Sequence, residues 1–152
     1  MRRKLLRRQK GFSLIEVLIA LALIGLIGVA FLTALNTAVK AVSIANVRTT
    51  SESYAKSTME HLKSFSYQRV DEDGSVADYF FLSPSDTAFT ICTYNRDGNL
   101  VQNKIYGIPW DVVTNTQSIT DKGIQKITIV IQHNEGGVNK IIFTLIDYVA
   151  SR

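Results

Sequence analysis

A single carboxylate, Glu16, stands in an apolar run from Phe12 to Leu35 that is otherwise broken only by Ser13 and Thr33. In a membrane helix an acidic side chain costs about 2.5–3.5 kcal/mol near the centre and less near an end, so it is kept where it finds a partner. Within the run there is no basic side chain, and the next one along the chain is Lys40. The partner of Glu16 must therefore come from elsewhere, and the chemistry open to it is electrostatic matching.

The other groups capable of chemistry are scattered. Cys92 is the only cysteine, which rules out an intrachain disulfide. Within Ala88-Phe89-Thr90-Ile91-Cys92-Thr93-Tyr94 it reads as a buried small hydrophobe. His61 and His133 are far apart, and no cysteine or acid cluster joins them at metal-ligand spacing. Asp71-Glu72-Asp73 before Gly74 offers oxygens of the kind calcium takes. The spacing is not that of an EF-hand loop, and an acidic turn is ordinarily just solvated. Trp110, with Tyr106 and Pro109 nearby, reads as a lid on a small core. No nucleophile elbow, phosphate loop or triad spacing occurs. The expectation is a protein that is not an enzyme and holds no cofactor or metal.

These residues need elements to position them. The 24 positions from Phe12 to Leu35 would span about 36 Å as a helix, enough for a hydrocarbon core of about 30 Å. From Asn36 to Phe65 there is no proline or glycine. Val39, Val42, Val47, Ala55, Met59, Leu62 and Phe65 recur at spacings that suit one helical stripe. One helix over residues 12–65, about 80 Å long, is predicted, apolar all round in its first half and on one side in its second. A secretory signal peptide fits less well, because the run is too long and lacks a clean small-x-small cleavage site.

Beyond Tyr67 the pattern changes. Val76 to Leu82 and Thr87 to Tyr94 read as strands joined by a turn at Ser83-Pro84-Ser85-Asp86, and Asn95-Arg96-Asp97-Gly98-Asn99 as a second turn. Leu100 to Thr120 suggests a short strand and then a loop carrying Pro109-Trp110. Lys126 to Gln132 and Lys140 to Ile146 are β-branched runs flanking Asn134-Glu135-Gly136-Gly137, a hairpin signal. The predicted fold is α+β: a long N-terminal helix, membrane-spanning and then amphipathic, packed on a C-terminal antiparallel β-sheet.

Charge follows the same division. Of 17 basic residues, six fall in the first ten positions with no acid among them, leaving 11 against 13 acidic residues from Phe12 onward, about −2. The basicity belongs to the leader, so no nucleic-acid partner is expected. By the positive-inside rule the leader stays cytoplasmic and the part after Leu35 lies outside.

The stretch Lys10-Gly11-Phe12-Ser13-Leu14-Ile15-Glu16-Val17-Leu18-Ile19-Ala20 closely resembles the N-terminal signature of type IV prepilins and type II secretion pseudopilins. The resemblance implies cleavage between Gly11 and Phe12 by a membrane aspartyl protease, the prepilin peptidase, and N-methylation of Phe12. It makes Glu16 the family's glutamate at the fifth mature position. Cleavage would create an amine at Phe12, and in a staggered bundle the amine of one subunit meets Glu16 of the next. Partners implied are the membrane, the peptidase, other pilin subunits and an assembly platform protein, through which a cytoplasmic ATPase extends such filaments.

The resulting organisation is a leader over residues 1–11, a membrane and filament-core helix over 12–35, an amphipathic continuation over 36–66 and a β-rich extracytoplasmic domain over 67–152. The implied location is the inner membrane, single-pass, and a pilus or pseudopilus after assembly. Thr50 to Glu60 resembles the helix of minor pilins and pseudopilins. Thr33 stands where many major pilins carry a helix-breaking proline, and a C-terminal cysteine pair is missing; both favour a minor subunit. The competing reading is a single-pass membrane protein whose outer domain binds a ligand or partner without polymerising.

Overall fold

The computed structural model describes residues 11–70, 77–80 and 83–152. One helix, α1 (Leu14–Ser64), precedes seven strands: β1 (Ala77–Tyr79), β2 (Phe89–Tyr94), β3 (Leu100–Gln102), β4 (Ile105–Asp111), β5 (Thr116–Gln117), β6 (Ile124–Glu135) and β7 (Val138–Ala150). The architecture is the expected α+β arrangement. By contacts the chain divides into two units, Met1–Ser43 and Ile44–Arg152, with α1 running through both.

In the first unit the described part of α1 is exposed throughout, and its most apolar 18-residue window has a mean hydropathy of 2.7. Length and composition suffice to cross a membrane. Two hydroxyls in this stretch are satisfied locally. The Thr33 hydroxyl donates to the Val29 carbonyl at 2.8 Å and the Thr37 hydroxyl to that of Thr33 at 3.0 Å. Such back-bonding lets a hydroxyl sit in an apolar helix without an orphaned donor.

In the second unit, α1 residues 44–64 lie against an antiparallel sheet ordered β1-β4-β6-β2-β3, with β5 on β4 and β7 on β6. The central strand β6 pairs β7 along its length on one side. Its other side is shared by β4 near the start and β2 near the end. The core joins Ala55, Met59 and Leu62 of the helix to Phe89, Ile91, Ile105, Ile127, Ile129 and Ile131 of the sheet. Tyr54 closes one end by packing edge-on against Phe89, 5.4 Å between centroids.

Three sequence expectations need correction. The buried helical stripe is Ser51, Ala55, Thr58, Met59 and Leu62. Val39, Val42 and Phe65 are exposed, the first two lying in the other unit, and Val47 only half-buries on the core. Ser51 can occupy the stripe because its hydroxyl donates to the Val47 carbonyl at 2.8 Å, leaving a small, satisfied side chain. Second, Pro109 and Trp110 lie in strand β4, not in a loop. Pro109 stands opposite Gln125, and its carbonyl accepts from the Ser118 N–H at 3.2 Å, so the ring forfeits one donor toward the short β5. Third, Leu100–Thr120 thus carries three strands instead of one.

The β6–β7 hairpin is as expected. Gly136 and Gly137 form its two-residue loop with φ of 62° and 89°. Both are positive, as a type I′ turn demands. Of the strand expected over Val76–Leu82, Ala77–Tyr79 is β1, while Val76, Phe81 and Leu82 lie outside the described residues, as does the acidic group Asp71-Glu72-Asp73.

Candidate processing and assembly site

Gly11, Phe12 and Ser13 are non-helical and exposed, and α1 begins at Leu14. Ser13 caps it: its carbonyl accepts from the N–H of Glu16 at 3.0 Å and of Val17 at 3.2 Å. Its hydroxyl also accepts from Glu16 N–H at 3.3 Å. Ser13 and Glu16 thus stand in the capping-box relation, with a serine N-cap and a glutamate at the third helical position. The peptide bond between Gly11 and Phe12 therefore lies just outside the helix, where an extended backbone is open to a protease.

A Cβ added at Gly11 would meet nothing within 4 Å. The chain's own packing does not call for glycine there, so any demand for it comes from whatever handles the junction. Phe12 is 81% exposed. Glu16 lies in the first turn of α1 and is exposed, with no cation within ion-pair distance among the described residues. The positive pole of the helix favours an anion here by about 0.3–1 kcal/mol at an exposed position. That offsets only part of what an unpaired carboxylate costs in lipid.

Residues 6–32 match the family model for the prokaryotic N-terminal methylation motif. The chain carries a prepilin-type signal. No curated protein and no solved structure matches it. The matched residues include Gly11, Phe12 and Glu16, so the signal coincides with the capped helix start and the apolar first half of α1.

The second unit holds a polar cluster that sequence reasoning missed. Asp121 is buried and accepts from the Tyr67 hydroxyl, the Val70 N–H at 3.0 Å, the Gly123 N–H at 2.8 Å and Gln125 Nε2 at 2.9 Å. The same Gln125 amide donates to the Gln68 carbonyl at 2.7 Å, while the Tyr79 hydroxyl donates to Gln125 Oε1 at 2.7 Å. Burial pushes Asp121 upward, but donors led by Tyr67 outweigh it and hold the carboxyl below its usual range. Burial and the bond to Asp121 push Tyr67 well up. Each group is partnered, so the cluster works as a clasp tying the segment after α1 to the start of β6.

The remaining candidates sit apart. Cys92 is fully buried, and burial pushes its thiol up. His61 packs edge-on against Phe65 at 4.8 Å and His133 against Phe89 at 4.7 Å. Trp110 is half-buried, with the Lys126 ammonium 4.7 Å from its centroid and Tyr148 beside it at 6.1 Å.

Proposed function

We propose that the protein is a minor structural subunit of a type IV pilus or type II secretion pseudopilus, without enzymatic activity of its own. Prepilin peptidase cuts between Gly11 and Phe12, and the new amine at Phe12 is methylated and stays cationic. The subunit then leaves the inner membrane for the filament through α1, its second unit facing outward. In the bundle, the Phe12 amine of one subunit meets Glu16 of a neighbour, and the pair favours one axial register over others.

The observation that carries this reading is the coincidence of the methylation motif with an exposed, non-helical Gly11–Phe12 junction placed directly before a capped apolar helix. Mass spectrometry of the N-terminus, from cells that contain the peptidase, tests it. The expected product begins with N-methylated Phe12, and Gly11→Leu leaves the leader attached. An intact leader on the wild-type chain would favour the non-polymerising membrane protein, and normal processing of Gly11→Leu would overturn the assigned cleavage site.

A further inference from the structure

Strand β7 is hydrogen-bonded along one side only. It pairs with β6 from end to end, and among the described residues no strand pairs with its other edge. Two contacts show which backbone groups face that open side. The Ser151 N–H donates to the Gly123 carbonyl at 2.7 Å, which places residues 143, 145, 147 and 149 in bonds with β6. The Tyr148 N–H instead meets Asp147 Oδ1 at 2.8 Å. The N–H and C=O groups of Thr144, Ile146 and Tyr148 therefore point away from β6.

Proteins usually protect such an edge with a short strand, proline, a bulge or charge. Here β7 has 13 residues with no proline or glycine, and its bulge lies near Ile131/Gln132, leaving residues 143–150 regular. Its charged residues are Lys140 and Asp147, and Lys63 neutralises Asp147 at 2.5 Å. On the sheet face turned from the helix, Ile146 and Tyr148 remain 52% and 44% exposed. Ile146 borders a groove of about 340 Å³ that also takes in Lys126 and Thr144 and has no acidic residue in its lining.

The charge beside this edge is positive. Neither Lys126, opposite Tyr148, nor Lys140 has a carboxylate within 4 Å among the described residues. A second copy laid edge to edge would bring the same positive charge to this edge, which is unfavourable. A strand carrying acids would match them.

We propose that the open edge of β7 is a strand-addition site for an extended, acidic segment of a different polypeptide, apolar at alternate positions. Main-chain bonds to Thr144 and Ile146 would hold it, Ile146 and Tyr148 would receive its apolar side chains, and Lys126 and Lys140 would select its charge. The inference does not depend on how the N-terminus is processed.

Amide exchange by NMR on the full chain in detergent micelles tests it. The probe is a synthetic peptide of about ten residues, matched to the strand length, alternating valine and threonine with two glutamates. The peptide is expected to slow exchange at Thr144 and Ile146 at least about tenfold and to leave Phe143 and Leu145, already bonded to β6, unchanged. The same peptide with lysine for glutamate should bind at least about tenfold more weakly. Ile146→Pro, whose nitrogen faces the open side, should abolish the effect with the β6–β7 ladder intact. Should proline disturb the ladder, Ile146→Asp serves in its place, repelling the acidic peptide. No slowing at millimolar acidic peptide, or equal slowing by the lysine peptide, overturns the proposal. Slowing that rises with protein concentration and needs no peptide assigns the edge to a second copy and overturns it too.

Discussion

Gly107 faces Gln125 so closely that a methyl group added to it would lie 2.6 Å from Gln125 Oε1. The Tyr79 ring would be 3.0 Å away on the same side. A flexible glutamine could ordinarily swing aside. Here Gln125 is fully buried and fixed by Tyr79, Gln68 and Asp121.

Gly107→Ala is therefore expected to destabilise the second unit by about 1–3 kcal/mol, the range for overpacking a fixed interior. Trp110, the only tryptophan, reports unfolding by fluorescence. An unchanged midpoint in urea would show that Gln125 moves freely.

Acid should weaken the fold through Asp121. Its carboxyl titrates below the usual range when folded, so the stabilisation it brings is complete above the unfolded value of about 3.9 and fades as pH falls through the folded value. Asp147, held down by Lys63, acts in the same direction. Asp111 is held at about 2, chiefly by hydrogen bonds from Thr114 and then Lys122, and titrates late. Asp121→Asn is expected to cost about 1–3 kcal/mol at neutral pH, since a carboxylate that accepts four donors becomes an amide. It should also flatten the decline measured between about pH 4 and pH 2. A variant that loses stability in parallel with the wild type down that range would contradict this.

Glu16→Ala should leave membrane insertion intact, because removing a carboxylate makes the segment more apolar. Incorporation into filaments should drop, since the Phe12 amine of a neighbour loses its match. Membrane fractionation and filament shearing measure the two separately. Undiminished incorporation would count against the proposed register.

The helix and the β6–β7 hairpin were legible because their signals are local: apolar continuity over residues 12–35, and Gly136-Gly137 between β-branched runs. The N-terminal methylation motif over residues 6–32 was legible for the same reason. Strand β4 was obscured by Pro109, whose cost depends on which neighbour its nitrogen faces. The stripe on α1 was misjudged at Ser51, whose burial is allowed by a hydroxyl bond no hydropathy pattern contains, and at Thr58, which is also buried. The Asp121 clasp joins Tyr67, Val70 and Tyr79 to residues 121 and 125 across more than 40 positions, and nothing in the spacing announces it.

Every partner of β6 but one precedes it in the sequence: β2 and β4 are made first, and β6 completes both ladders. A chain emerging from its N-terminus therefore presents β2 and β4 before their shared neighbour exists. Once Gly136 and Gly137 are out, β7 can fold back within microseconds, because the loop to be closed is minimal. Assembly of the sheet is thus timed by the emergence of residues 124–150, and whatever shields Phe89 and Ile91 from misassociation must do so until then.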